Sequence, residues 1–342
     1  MQWGCSSDFL ARNYERPHCS NGRVWEVKQP DIGAGGHSEI PGKKGTLPGQ
    51  PLLDGIEISF PATDGYELGG VHFQALGESA PPVAVVLAGG GGVSARRYRH
   101  FARFLSSSGI PVLTFDYRGI GRSRPPSLRG FKATIEDWSE CDCGGAIAWM
   151  RARYCSSELT GITHSIGSLV LGGAKNVSEL SQLVFIAPHT GYCGDYAKRV
   201  RIPMAVVWHV VMPALTHMFG YFPGRMLRLG EDIPGGMALQ WAARTSPEFF
   251  PKNGNAESSR ARAILARFAG VDVPTLALAF TDDAFATESG ARRLLSCYPD
   301  IQARFELVEP SATDSRGIGH FGFFRRNADI ELWRSVMNFL TA

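Results

Sequence analysis

The chain has 342 residues, 44% of them hydrophobic, and a net charge of +3. Because its arginines are scattered in pairs, no basic face for nucleic acid is indicated. The seven cysteines are odd in number and irregularly spaced, so they predict neither a disulfide framework nor a metal site. We therefore expect a cytoplasmic protein without metal or other cofactor.

The first 53 residues show no sustained hydrophobic periodicity, and glycine and proline are frequent between residues 30 and 51. This composition predicts a flexible leader outside the fold, and it has no apolar core of signal-peptide length. The longest apolar stretch without a charged residue, 202–222, contains two prolines and two histidines. We expect a buried or lid helix there and no stable membrane span.

Residues 54–342 are predicted to form one domain in which strands and helices alternate. Two alternating strands at 56–60 and 67–76 predict an antiparallel edge. Continuously apolar strands follow, separated by helical patterns, as expected for strands covered on both faces. The order predicts an α/β fold with a mostly parallel, doubly wound sheet.

The alternation stops after Pro188, and we predict a helical lid insertion at about residues 192–270. Such an insertion is expected over the carboxyl edge of the sheet, where ligands bind. Trp208, Met212 and Phe219 are then candidates for substrate contact. The alternative is a helical hairpin that completes the core.

A strand-turn-helix pattern surrounds the sequence Thr163-His164-Ser165-Ile166-Gly167. It matches the nucleophile elbow G-x-S-x-G except that Thr163 replaces the first glycine. The elbow holds its serine in a strained backbone conformation, so the residues two positions away must be small. Ser165 is therefore the candidate nucleophile, and we interpret His164 as a packing residue.

Two further candidate groups each follow an apolar strand: the pair Asp282 and Asp283, and then His320. Carboxyl ends of parallel strands meet at one edge of the sheet, so these groups can converge on Ser165. An imidazole activates a serine hydroxyl by accepting its proton, and a carboxylate orients the imidazole. Either aspartate can supply that carboxylate, and Asp195 is a weaker third candidate.

An oxyanion hole needs backbone N–H groups directed at the developing charge. The residue after the nucleophile, Ile166, supplies one by the logic of the motif. The second is expected from the run Gly89–Gly92, where Gly90 is our first choice and Gly91 the alternative. No Lys-Ser/Thr follows this run, so a phosphate-binding loop is not indicated.

Several motifs together resemble the α/β-hydrolase superfamily. They are Phe-Asp-Tyr-Arg-Gly-Ile-Gly-Arg-Ser at 115–123, the elbow at 163–167 and Gly-His-Phe-Gly-Phe-Phe-Arg at 319–325. With Gly-Tyr-Phe-Pro-Gly at 220–224, the chain is similar to a largely uncharacterised bacterial subgroup of serine hydrolases and esterases. The resemblance covers about residues 56–342. It implies an α/β-hydrolase fold with Ser165 as nucleophile, His320 as base and Asp283 as acid.

The resulting expectation is a serine hydrolase that cleaves a carboxylic ester, thioester or lactone of a small, mainly apolar substrate through an acyl-enzyme. The alternatives are a C–C bond hydrolase or acyltransferase with the same triad, and a relative that binds a ligand or partner without turnover. Since 202–222 carries no charge, we expect kcat/KM to rise from acetyl to medium-chain esters and to be low for anionic esters.

Overall fold

The computed structural model describes residues 54–76, 81–245, 256–310 and 317–342. The predicted leader, 1–53, lies outside the described residues. The strands are β1 (Ile56–Pro61), β2 (Glu67–Phe73), β3 (Val83–Ala88), β4 (Val112–Phe115), β5 (Glu158–His164), β6 (Leu180–Ile186), β7 (Tyr221–Phe222), β8 (Ile233–Pro234), β9 (Pro274–Phe280) and β10 (Gln302–Val308).

The described strands form an eight-stranded sheet in the order β1-β2-β4-β3-β5-β6-β9-β10 and a two-stranded ribbon of β7 and β8. In the large sheet β1, β2 and β4 pair antiparallel, and every other neighbouring pair is parallel. The prediction of a mostly parallel sheet with an antiparallel edge is thus confirmed.

Helices cover both faces of the sheet, and its central strands are apolar for that reason, whereas the edge strands β1 and β10 are largely exposed. The helices are Arg99–Ser107, Ile135–Asp137 continued by the π-helical segment Trp138–Cys143 and by Gly144–Arg153, Gly167–Gly172, Lys198–Phe219, Gly235–Ala242, Ala256–Phe268, Glu288–Leu295 and Ile330–Leu340. Successive residues of β3 alternate between two core clusters: Ala84 and Val86 pack on one face, and Val85 and Leu87 on the other. All six β3 side chains are buried, as a central parallel strand requires.

The helix Lys198–Phe219, called here the long helix, interrupts the strand-helix alternation. Among the described residues it is the one helix long and apolar enough to cross a membrane, a test that helices of soluble proteins also pass. Ile202, Val206, Val210 and Met218 are exposed, while Met212 is buried in the core, so only part of this helix packs on the core. Its role as a lid stays a prediction, and residues 246–255 of the insertion lie outside the described part.

Candidate active site

The turn after β5 has the backbone strain that the elbow motif predicts. Ser165 has a φ of 60°, in the left-handed region that a side chain rarely adopts. A Cβ on Gly167 would lie 2.5 Å from the carbonyl oxygen of Gly89, so only glycine fits there. Thr163 fits the other position because its Oγ1 finds a hydrogen-bond partner in Ser168 Oγ at 2.7 Å.

Ser165, His320 and Asp283 form a continuous hydrogen-bonded relay. Ser165 Oγ lies 3.0 Å from His320 Nε2, and His320 Nδ1 lies 2.7 Å from Asp283 Oδ2. Asp283 also accepts backbone N–H bonds from Phe285 and Ala286 at 2.7 and 3.0 Å. Burial alone would raise the pKa of Asp283, but the hydrogen bond and charge of His320, together with these N–H groups, lower that pKa below its usual value. The carboxylate is therefore ionised at neutral pH.

The other two candidate carboxylates have different partners. Asp282 accepts N–H bonds from Ile318 and Gly319 at 2.8 and 2.9 Å, and so holds the loop that carries His320. Asp195 forms an ion pair with Arg293 at 2.6 Å. The structure therefore brings Asp283, and neither alternative, to the imidazole.

His164 lies beneath the site in full burial. Its Nε2 lies 2.9 Å from the carbonyl oxygen of His320, and its Nδ1 lies 3.1 Å from Tyr98 Oη. Burial, and next the charge of His320, hold the pKa of His164 well below its ordinary value. The neutral ring with hydrogen-bond partners at both nitrogens fits the packing role that the sequence suggested for His164.

A second histidine in the site was missed by the sequence reasoning. His189 Nε2 lies 2.8 Å from Ser165 Oγ, and the Gly191 N–H donates to His189 Nδ1 at 2.9 Å. Because Nδ1 accepts, the ring proton of the neutral form sits on Nε2 and points at Ser165 Oγ. Burial, and then the charge of His320, lower the pKa of His189 to about 3. The available signal was its place just past β6, at the same edge of the sheet as the other groups.

The choice of Gly90 for the oxyanion hole is wrong in this geometry. Its N–H donates to Tyr98 Oη at 2.8 Å and so is already occupied. The alternative, Gly91, lines the cavity together with Ser165. Gly91 therefore replaces Gly90 as the candidate donor beside Ile166, which follows the nucleophile.

A cavity of about 770 Å³ opens onto Ser165, His189 and His320. Its apolar wall includes Trp208 and Trp241, whose ring centroids are 5.5 Å apart. Further apolar residues of the wall are Met204, Tyr196, Phe285 and Phe324.

Of the three predicted substrate contacts, the structure places only Trp208 in this wall. Met212 is fully buried in the core, and Phe219 packs near Tyr221 at a ring separation of 6.3 Å. The long helix contains a π-helical segment at Val207–Val211. Met212 and Trp208 pack on the same core cluster, but Met212 is fully buried there, whereas Trp208 is half-buried and reaches the cavity.

The cavity is also strongly charged, contrary to the expectation from 202–222. Six of its lining residues, called here the mouth arginines, are Arg96, Arg97, Arg99, Arg228, Arg325 and Arg326. Its one acidic residue among the described lining, Glu231, forms an ion pair with Arg225. These charges come from segments outside 202–222, so the premise of an uncharged lining does not hold, and the low activity expected on anionic esters stays a prediction. Among the described residues, no cluster of histidine, cysteine and carboxylate side chains is placed to hold a metal ion.

Comparison with known proteins matches residues 79–250 to the family described as serine aminopeptidase, S33. Similar solved structures include the Pyrococcus furiosus esterase Pf2001, with 17% identity and a TM-score of 0.54 over 90% of this chain and 98% of that one. The enol-lactonase from Burkholderia xenovorans has 19% identity and a TM-score of 0.51, over 83% of this chain and 100% of that one. The esterase RhEst1 from Rhodococcus sp. has 17% identity and a TM-score of 0.50, over 84% of this chain and 98% of that one. At these identities the likeness shows a shared α/β-hydrolase fold.

Proposed function

The chain belongs to the serine aminopeptidase S33 family of α/β-hydrolases, and from that premise we propose a serine hydrolase that cleaves an ester-like bond through an acyl-enzyme on Ser165. The observation that carries the proposal is the relay from Ser165 through His320 to Asp283 at a cavity. A binder without turnover has no need of a strained serine beside an oriented imidazole.

Acylation begins when Ser165 Oγ attacks the ester carbonyl and passes its proton to His320 Nε2. Asp283 accepts the Nδ1–H of His320, which fixes the tautomer and stabilises the imidazolium. The backbone N–H groups of Ile166 and Gly91 would stabilise the oxyanion. The imidazolium then protonates the leaving alcohol or thiol as the carbonyl re-forms.

Deacylation repeats these steps with water in place of the serine. His320 takes a proton from water, the hydroxide oxygen bonds to the acyl carbon, and the bond to Ser165 Oγ breaks with return of the proton to that oxygen. The products are the carboxylic acid and free enzyme.

His189 has a distinct part in this mechanism. Its Nε2–H donates to Ser165 Oγ, so the hydroxyl proton is free to point at His320 Nε2. Its Nδ1 accepts a backbone N–H, and within the described ranges no carboxylate bonds to the ring, so His189 lacks the support that a general base needs. It acts as a neutral donor whose bond strengthens as Oγ gains negative charge.

The charges of the cavity favour esters over the amino-terminal peptides that the family description names. An aminopeptidase must hold a free ammonium group, and the mouth arginines would repel one. Two of the similar structures are described as esterases and one as an enol-lactonase, which is consistent with ester chemistry. Trp208 and Trp241 are suited to an apolar acyl group.

The direct test replaces the nucleophile. Ser165→Ala should lower kcat on nitrophenyl butanoate by about 10³-fold or more and abolish labelling by a fluorophosphonate, with the fold intact. Ser335→Ala is the matched control, because its hydroxyl is exposed and donates to the carbonyl of Leu332 on the last helix. Retained esterase activity and labelling in a folded Ser165→Ala protein would disprove the proposal.

A further inference from the structure

We propose that the mouth arginines bind an anionic group, phosphate or carboxylate, carried by the leaving group of the substrate. This inference rests on the proposed function and specifies its substrate class. The six side chains come from three separate segments, at 96–99, at 228 and at 325–326, that the fold brings to one opening. Five of them are exposed and the sixth, Arg325, is half-buried, which places them at the entrance above the buried serine.

The mouth arginines differ from most of the other arginines in the described chain. Elsewhere a guanidinium commonly faces a carboxylate, as Arg118 faces Asp64 and Asp142 at 2.7 Å. Within the described ranges, none of the six forms an ion pair with a carboxylate of this chain. The opening therefore holds several positive charges whose counter-charge is not supplied by the described residues.

The contacts that the mouth arginines do make leave most of their N–H donors available. Arg97 lies over the ring of Phe321 at 4.8 Å. One N–H of Arg99 donates to the carbonyl of Arg96 at 3.1 Å, and one of Arg325 to the carbonyl of Gly317 at 3.1 Å. A guanidinium has five donors in a planar fork, which matches the oxygens of carboxylate and phosphate.

The positive field acts on a neighbouring group. His100 also lines the cavity, and its pKa is lowered first by burial and then by the charges of Arg99 and Arg326. Like charges gathered without a partner repel one another, and an anionic ligand would relieve that repulsion. The site is thus built for an anion and against a cation.

The position of the arginines relative to His320 assigns the anion to the leaving group. His320 protonates the departing atom, so the leaving group lies on the histidine side of Ser165. Arg325 and Arg326 follow His320 on the same segment and line the same cavity. The acyl group stays on Ser165 and faces the apolar wall of Trp208 and Trp241.

The test compares thioesters that share a butanoyl group and differ in the thiol. Coenzyme A supplies phosphates, mercaptopropionate a carboxylate, and N-acetylcysteamine no charge; release of thiol is followed with a thiol-reactive chromophore. We expect kcat/KM for at least one anionic thioester to exceed that of the neutral one by about tenfold or more at low ionic strength. The advantage should shrink as salt is raised. Whichever anionic thiol is preferred identifies phosphate or carboxylate as the recognised group.

Variants connect the preference to the arginines. In Arg96→Gln/Arg326→Gln the ratio of anionic to neutral kcat/KM should fall by about fivefold or more. Arg334→Gln is the control, because that arginine pairs with Glu331 on the last helix, and its ratio should stay at the wild-type value.

The possible failures are separable. If the wild-type protein cleaves nitrophenyl butanoate through Ser165 but shows no anionic advantage, or one unchanged by salt and by the double variant, the inference is overturned and the proposed function stands. A preference only for a carboxylate on the acyl side, tested with S-glutaryl-N-acetylcysteamine, overturns the assignment to the leaving group. If no ester or thioester is cleaved, the proposed function itself fails.

Discussion

Removing the N–H that His189 directs at the nucleophile tests the least expected feature of the site. His189→Leu keeps much of the side-chain volume but deletes the donor 2.8 Å from Ser165 Oγ. His189→Gln keeps a side-chain N–H that can reach the same oxygen. A structural role alone would make the two variants similar, whereas a role of the donor predicts that glutamine restores activity.

The expected size follows from the change in charge on Ser165 Oγ. A hydrogen bond to a neutral oxygen contributes about 1 kcal/mol net, and one to a charged group about 1.5–3 kcal/mol. The difference, about 0.5–2 kcal/mol with a midpoint near the value of one tenfold change in rate, is what the transition state gains from His189. His189→Leu should therefore lower kcat by about tenfold, far less than the 10³-fold or more expected, roughly, for His320→Ala.

The assay is kcat and KM on nitrophenyl butanoate across pH, with thermal unfolding as the control for folding. Since burial, and then the charge of His320, lower the pKa of His189 to about 3, its donor does not titrate in the working range. The pH profile of His189→Gln should keep the wild-type shape between about pH 5 and 9. If His189→Leu loses as much activity as His320→Ala, His189 is the base and the reasoning is wrong. If His189→Leu loses no activity, the hydrogen bond from His189 does not contribute to catalysis and the reasoning is also wrong.

Three further outcomes are expected. Asp283→Asn should lower kcat by roughly 10³–10⁴ because the imidazole loses its orienting carboxylate, whereas Asp282→Asn should mainly lower the melting temperature; the reverse ranking would reassign the acid. In a chain-length series, each methylene should add about 0.8 kcal/mol of binding until the cavity fills; Trp208→Ala should flatten that rise and Phe219→Ala should not, and equal profiles would contradict the assigned wall. Burial, and then the charge of Arg153, lower the pKa of His72 to about 4, so its contribution to stability is complete above the unfolded pKa near 6.5 and is lost as pH falls toward 4. In denaturant unfolding at neutral and acidic pH, the free energy of unfolding of His72→Gln should fall less steeply between pH 6.5 and 4, by up to about 1.4 kcal/mol per pH unit. If wild type and variant show the same dependence of that free energy on pH, the prediction is wrong.

The sequence could predict the sheet and the relay because both depend on local patterns. Continuously apolar segments identify parallel strands, and strand ends identify the edge where polar groups meet. The strained turn at Ser165 was predictable from Gly167, since only glycine fits against the carbonyl of Gly89. Asp283 was separable from Asp282 only by the family resemblance, and the hydrogen bonds of both are consistent with that choice.

Other parts of the site depend on long-range packing that no local pattern reports. Tyr98 occupies the N–H of Gly90, a contact set by how the segment 95–98 folds back on the glycine run. Met212 is fully buried whereas Trp208 reaches the cavity, a difference that depends on which elements pack against the long helix. The arginine pairs looked scattered because 96–97 and 325–326 are far apart in the chain, and only the folded chain brings them to one opening.

The adjacent aspartates just after β9 hold the acid and the base of the relay on the same strand end. Asp282 accepts hydrogen bonds from the backbone N–H groups of Ile318 and Gly319, and Asp283 accepts one from the imidazole of His320. Any displacement of this strand end therefore carries both members of the proton relay in the same direction. The distance between the Asp283 carboxylate and the His320 imidazole therefore stays nearly constant when the sheet moves. Only the distance from Ser165 to the imidazole depends on the rest of the fold.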